Sequence, residues 1–299
     1  MTHLLHRTAC PVCRSAEIAP VLEASDHTVS GEVFAIWECR NCGLRFTQDV
    51  PDAGAIGKYY QSEDYISHSE TRKGIINRLY HQVRRRALRQ KLGWINRYAQ
   101  QQPGTLLDIG CGTGAFLQTM QQAGWKATGT EPDEQARENA RQLHGVEPLP
   151  SAALFHLPPH SFDVITMWHV LEHVHELHEY IAQIGNLLTP EGTVLIALPN
   201  YRSLDAQHYA SFWAAYDVPR HLYHFSPKAL SSLAAQHQLK VVRQIAMPFD
   251  SFYISLLSER YLHGKSRLLQ GGWTGYRSFL HGRKKTGEAS SLVYILKKE

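Results

Sequence analysis

Between Thr105 and Leu117 an apolar run, Thr105-Leu106-Leu107-Asp108-Ile109, ends in glycines at alternate positions, Gly110, Gly112 and Gly114. The chain must turn sharply there and start a helix with Phe116, Leu117 and Met120 on its inner face. Glycine permits left-handed turns and lets a ligand approach the backbone closely. A strand, a glycine turn and a helix in that order are α/β in character, and dinucleotide folds use such turns too. Asp108, two residues before the first glycine, narrows the ligand. A carboxylate there repels a pyrophosphate and suits a cationic group.

The following strand, Ala127-Thr128-Gly129-Thr130, leads into Glu131-Pro132, with Glu131 standing 23 residues after Asp108. A carboxylate so placed can accept both hydroxyls of an adenosine ribose. Further on come Phe162-Asp163-Val164-Ile165-Thr166-Met167-Trp168-His169-Val170-Leu171-Glu172-His173-Val174 and Leu187-Leu188-Thr189-Pro190-Glu191-Gly192-Thr193-Val194-Leu195-Ile196. In this order the motifs resemble those of the class I S-adenosylmethionine-dependent methyltransferases over about 104–200. A sixth strand is expected at Lys240–Ile245 and a seventh at Ser291–Leu296.

That resemblance implies a Rossmann-like seven-stranded methyltransferase fold whose site lies at the carboxyl ends of the strands. Asp108, Gly110, Cys111, Gly112 and Gly114 would hold the methionine part of S-adenosylmethionine. Glu131 and Pro132 would hold the ribose, and Ser151 and Ala152 would lie near the adenine. Trp168 and His169 would line the methyl-transfer pocket, while Asp163, at the opposite end of the same strand, falls outside it. His169-Val170-Leu171-Glu172-His173 also spells H-x-x-E-H, a zinc-protease pattern if it sits on a helix. That reading offers no third ligand and leaves the glycine loop and Glu131 unexplained.

Cys10-Pro11-Val12-Cys13 and Cys39-Arg40-Asn41-Cys42-Gly43 form two Cys-x-x-Cys pairs. Each can form a tight turn aiming two thiolates at one ion, and four thiolates imply a closed, structural zinc site. Val33–Trp37 reads as a strand entering the second pair and Gly43–Thr47 as the strand leaving it. A module of about fifty residues has too little core to fold alone, so Zn2+ is expected to supply the missing stability. The fifth cysteine, Cys111, belongs to the glycine loop.

The net charge of +4 over 299 residues conceals segregation. Residues 71–103 carry nine Lys or Arg and no Asp or Glu, and residues 250–299 carry nine against four. In the first segment Ile75, Ile76, Leu79, Tyr80, Val83, Leu88, Leu92 and Ile95 recur at helical spacing, with Arg84, Arg85, Arg86, Arg89 and Lys91 on the other faces. Two readings stand: an anion-binding helix, or a solvated face packed on the main domain.

Residues 201–225 hold seven aromatics and His208, His221 and His224. The run Asp217-Val218-Pro219-Arg220-His221-Leu222-Tyr223-His224-Phe225-Ser226 resembles one in a methyltransferase subgroup of sugar and cell-surface polysaccharide pathways. Members of that subgroup often carry a paired-cysteine module as well. The segment is expected to cover the crevice as a lid, with Ser226 capping the next helix and Pro227 at its first position. Arg220 could anchor a phosphate or carboxylate. His221 is the favoured general base, with His224 and His169 as alternatives. Tyr59, Tyr60, Asp64 and Tyr65 could close the pocket from the other side.

Phe252, Ile254, Leu256, Leu257, Tyr261, Leu262, Leu268 and Leu269 suggest a helical pair inserted at 250–289. It would pack as a cap or dimer surface or, as the alternative, touch a membrane peripherally. No apolar stretch is long enough to span a bilayer, and the first residues lack the apolar core of a secretory signal, so a cytoplasmic protein is expected. The expected organisation is a zinc-ribbon-like module at 1–50, a helical linker with the basic helix at 51–103, and a methyltransferase domain at 104–299. The expected activity is methyl transfer to a small or carrier-linked molecule, preferably a sugar or sugar nucleotide. The alternatives are an RNA partner bound by the basic helix and a non-catalytic zinc-bearing interaction protein. The oligomeric state is left open.

Overall fold

The computed structural model describes residues 4–61, 75–99 and 103–299. Asp64 and Tyr65 lie outside the described residues. Five strands come from the N-terminal part: β1 (Leu4–Leu5), β2 (Ile18–Ser25), β3 (Val33–Cys39), β4 (Arg45–Thr47) and β5 (Val50–Pro51). The short β1 and β5 pair with each other, while β2, β3 and β4 form an antiparallel ladder that brings the two cysteine turns to one end. A helix over Ile75–Tyr98 crosses to the main domain. Its Ile95 is buried there, with Leu88 and Leu92 packed beside it.

The central sheet contains β6 (Thr105–Ile109), β7 (Lys126–Thr130), β8 (Phe162–Trp168) and β9 (Leu188–Pro199), which are mutually parallel. With β10 (Tyr223–His224) assigned to the smaller sheet, β11 (Leu239–Ala246) and β12 (Ser291–Lys298) complete the large one. Its order is β11-β12-β9-β8-β6-β7, with β12 antiparallel to both neighbours. Leu106, Leu107 and Ile109 on β6 are all buried, as expected for a central parallel strand covered on both faces. The expected third strand is reduced to one bridge, Thr130 to Leu149. Pro148 and Pro150 flank Leu149 and remove the backbone donors that would extend the ladder. The sixth and seventh strands fall where the sequence places them, the sixth one residue longer at each end and the seventh running on to Lys298.

Strand β10 joins the two halves. It pairs with β4 through Tyr223–Phe46 and His224–Arg45, so the small sheet has the order β10-β4-β3-β2. The 201–225 aromatics are packed against the N-terminal part. Tyr201, Tyr209, Trp213 and Tyr216 form a core with Phe34, Ile36 and Tyr59 of the N-terminal part. The cysteine module and the 201–225 segment, distinct in sequence, are one packed unit. The reason is the period-2 alternation of β3, which gives Phe34 and Ile36 an apolar face needing cover.

Ser226 accepts a hydrogen bond from the Ala229 amide and Pro227 opens the Pro227–Ala235 helix, as the sequence reads. The 250–289 insertion is a helical hairpin, Asp250–His263 and Leu268–His281. Ile254 is buried, whereas Leu262, Leu268 and Leu269, expected within the packed stripe, are exposed.

Candidate active site

Asp108 sits at the carboxyl end of β6, fully buried, and accepts a hydrogen bond from Thr166 Oγ1 at 2.6 Å. Burial pushes its carboxyl up to about 7, against the opposing pull of Thr166 and the Lys91 ammonium. The chain then turns back through Gly110 and Cys111, whose amides both donate to the Thr130 carbonyl, at 2.8 and 3.0 Å. Gly110 and Gly112 differ in what their backbone faces. A Cβ on Gly110 would lie 2.5 Å from Val170 Cγ2, whereas Gly112, at φ +54, faces nothing within 4 Å. The loop is thus packed behind and open in front. Glu131, at the end of β7, is 8% exposed and accepts from the Gly112 amide at 2.9 Å and the Asp133 amide at 3.0 Å. Pro132 accepts from Arg137 through its carbonyl. Burial raises the Cys111 thiol, which stays protonated.

Lys91, expected on the outer faces of its helix, turns instead toward Trp168 and Phe116. Its ammonium lies 4.2 Å from the Trp168 ring centroid and 5.7 Å from that of Phe116. Burial lowers it to about 8, while Asp108 and Asp250 act in the opposite sense. The signal was present: Lys91 falls three residues after Leu88 and four before Ile95, on the apolar stripe itself. A buried carboxylate, an aromatic face and a cation already held between them fit this crevice to a positively charged ligand. Ser151 and Ala152 line an open cavity of about 260 Å³ with Phe155, Glu176, Glu179 and Tyr180. None of the glycine-loop residues is among its walls.

Two residues beyond Val170, a second group of polar side chains converges. One ligand-type atom each of Glu172, His173 and His221 lies within 4.8 Å of the others. The His173 and His221 rings meet edge to face, with centroids 4.6 Å apart. His221 Nδ1 donates to the Ala215 carbonyl at 2.8 Å, and His173 Nδ1 to the Arg220 carbonyl at 3.1 Å. Nε2 is therefore the unprotonated nitrogen of each neutral ring. The Tyr60 hydroxyl lies 3.1 Å from His173 Nδ1, so this tyrosine reaches the cluster. Tyr59 instead turns into the core and hydrogen-bonds Glu32.

The two histidines flanking Glu172 are held in opposite charge states. Burial disfavours charge on His169, but a hydrogen bond to Asp250 (2.9 Å) and the Glu172 carboxylate 3.4 Å away outweigh it and hold His169 up at about 10. Burial and the neighbouring His221 push His173 down to about 4. The ion pair with His169 keeps Glu172 below the usual carboxylate range despite complete burial. Donor types such as these also suit a divalent ion, but charged His169 already supplies the positive charge beside Glu172. His169, held between two carboxylates, is an acid rather than a base at neutral pH. The H-x-x-E-H run is not a helix but β8's end followed by a three-residue turn, Leu171–His173. His169 turns to Asp250, so the protease arrangement is absent among the described residues.

Arg220 and His224 sit elsewhere. Arg220 is 1% exposed, donates to Asp217 and Asp26 at 2.6 and 3.0 Å, and donates to the Tyr59 carbonyl at 2.8 Å. It fastens lid to module and has no free face for a substrate anion. His224 is buried against Thr47 Oγ1 at 3.0 Å, and burial keeps it neutral. Asp163 accepts from the Thr105 amide and hydroxyl, both at 2.9 Å, at the far end of the sheet.

In the N-terminal module Cys10 and Cys42 Sγ are 3.5 Å apart, as are Cys13 and Cys39 Sγ, and all four lie within 4.8 Å of one another. Sulfurs about 2.3 Å from a tetrahedral ion stand about 3.8 Å apart, so the set fits a thiophilic ion. The main domain grips both turns. His178 Nε2 donates to the Pro11 carbonyl at 3.0 Å, and Tyr201 and Ser226 donate to the Gly43 carbonyl at 2.6 and 3.2 Å.

The family described as a methyltransferase domain matches residues 80–244, more than half of the chain. The chain belongs to the S-adenosylmethionine-dependent methyltransferases. Curated relatives include a ubiquinone biosynthesis O-methyltransferase of Nitrosospira multiformis, 28% identical over 54% of this chain and 72% of the relative. A protein of the same name from Burkholderia lata is 31% identical over 42% of this chain and 57% of its own length. The chain spans 49–74% of the length of such relatives. Among solved structures, a SAM-dependent methyltransferase from Archaeoglobus fulgidus shares the fold, with TM-score 0.50 and 19% identity. That match covers 78% of this chain and 99% of the other.

Proposed function

We propose that this methyltransferase alkylates an ionisable hydroxyl of a small molecule, with His221 as general base, and that its four clustered cysteines hold a structural zinc ion. The observation that carries the acceptor reading is the His173–His221 pair beside buried Glu172, with Nδ1 of each ring committed to a backbone carbonyl. The curated relatives are O-methyltransferases by name, which supports oxygen as the acceptor atom. A sugar hydroxyl fits this chemistry. Arg220 lends no support to a phosphorylated sugar, because both of its sides are taken by Asp26 and Asp217.

S-adenosylmethionine, when bound, supplies an electrophilic methyl on a positively charged sulfur. Asp108 and the open face at Gly112 would hold its amino-acid end, Glu131 its ribose, and Trp168 would present an aromatic face to the cation. His221 Nε2 takes the acceptor's proton. Asp217, 3.9 Å from that nitrogen, and Glu172 stabilise the imidazolium that results. His173 stays neutral near pH 7 and adds no competing charge. A positioned base of this kind contributes about 10²–10⁴ in rate.

Labelled methyl from the cofactor, offered with fractionated cell extract, is expected to enter the small-molecule pool and to remain bound to oxygen. Label confined to RNA would contradict this reading. Glu131→Ala is expected to weaken cofactor binding in calorimetry, and an unchanged affinity would show that the ribose site lies elsewhere.

A further inference from the structure

The Leu268–His281 helix buries the wrong face for an ordinary surface helix. Its packed side is made of small residues. A Cβ at Gly271 would lie 3.0 Å from Leu256 Cα, and one at Gly275 would lie 2.7 Å from the Ser251 carbonyl, so the partner helix backbone fills that side. Ser278 is buried on the same face. The opposite face carries the bulk. Leu268 is 70% exposed, Leu269 86%, Trp273 60% and Tyr276 45%. Leu269, Trp273 and Tyr276 follow one another at four and three residues and form a single stripe. Such a contiguous apolar face on a surface marks a binding region rather than an accident of composition.

Charge decides the partner. From Arg260 to Gly287 the sequence has no acidic residue, whereas Lys265, Arg277, Arg283 and Lys284 are exposed around the stripe. A second copy docked across a two-fold axis would bring this basic rim against itself. An anionic surface would neutralise the rim while taking up Trp, Tyr and Leu side chains, which favour the boundary between lipid headgroups and acyl chains. We infer that the Leu268–His281 face docks on a membrane surface of anionic phospholipid.

The test is cosedimentation of the full chain with phosphatidylcholine vesicles, with and without phosphatidylglycerol. Binding to the phosphatidylglycerol vesicles is expected to be at least about tenfold tighter and to weaken with added salt. Trp273 should be quenched by brominated lipid, the other five tryptophans being at most partly exposed. The Leu269→Ser/Trp273→Ser and Arg277→Glu/Lys284→Glu variants should each lose about tenfold in binding. Cofactor affinity and melting temperature should not change, since these side chains are exposed. Equal binding to both vesicle types, or undiminished binding by either variant, would overturn the proposal. So would a wild-type dimer in light scattering that Leu269→Ser/Trp273→Ser converts to a monomer.

Discussion

Arg220 and His221 are adjacent in sequence, yet the structure treats them in opposite ways. Arg220 is saturated: two carboxylates and a carbonyl accept its hydrogen bonds, and no polar atom of it is left over. His221 makes one bond, through Nδ1, and keeps Nε2 for something else. The same contrast separates their neighbourhoods. Around Arg220 every partner belongs to the seam between module and lid. Around His221, Glu172 is fully buried with neither oxygen in a well-formed hydrogen bond. Burying polar groups without complete satisfaction costs stability, and proteins tolerate it where the groups have chemical work. The seam is built for strength, and on the proposed reading the cluster around His221 is built to react.

Removing the ion should test the seam most severely. Because β10 and β4 share a sheet, chelation or Cys39→Ser should unfold module and lid in one transition, with a loss on the order of 10 kcal/mol. A melt in which the lid survives would separate the two. Arg220→Met comes next. It leaves buried Asp26 without its cation and should cost about 3–5 kcal/mol in denaturant unfolding. Cofactor affinity should hardly change, and a selective loss of affinity would move Arg220 into the reactive side of the comparison.

The pocket side can be sharpened by pH. Burial holds the Asp108 carboxyl up at about 7. Below that pH it is protonated and offers no charge to a cationic cofactor. Affinity for S-adenosylmethionine should therefore rise by up to about tenfold per pH unit toward 7 and flatten above it. Asp108→Asn should abolish that slope. The smallest effect is expected at Lys91, whose ammonium occupies the same aromatic and acidic surroundings. Lys91→Met should tighten cofactor binding about two- to fivefold by removing a like charge, and weaker binding would mean that Lys91 itself holds the cofactor.

The sheet and the glycine loop were legible because they are local: a strand, a turn and a helix within Thr105–Leu117 carry their own signal. So were the cysteine pairs. The third strand was overestimated, since Pro148 and Pro150 deny Leu149 a ladder. The joining of module and lid was invisible, because a two-residue strand at Tyr223–His224 has no periodicity of its own. The surroundings of Arg220, His224 and His169 were hidden for one shared reason. A residue type near a site states what chemistry is available, while the partners that exhaust or perturb it come from distant segments: Asp26, Thr47 and Asp250.

The most direct measurement compares His221→Gln with wild type in three readouts on the zinc-loaded chain: methyl transfer to the acceptor pool, cofactor affinity and melting temperature. Methyl transfer should fall by about 10²–10⁴, with cofactor affinity and melting temperature unchanged. Full methyl transfer by His221→Gln, or a loss of melting temperature as large as that of Arg220→Met, would contradict the division between seam and pocket.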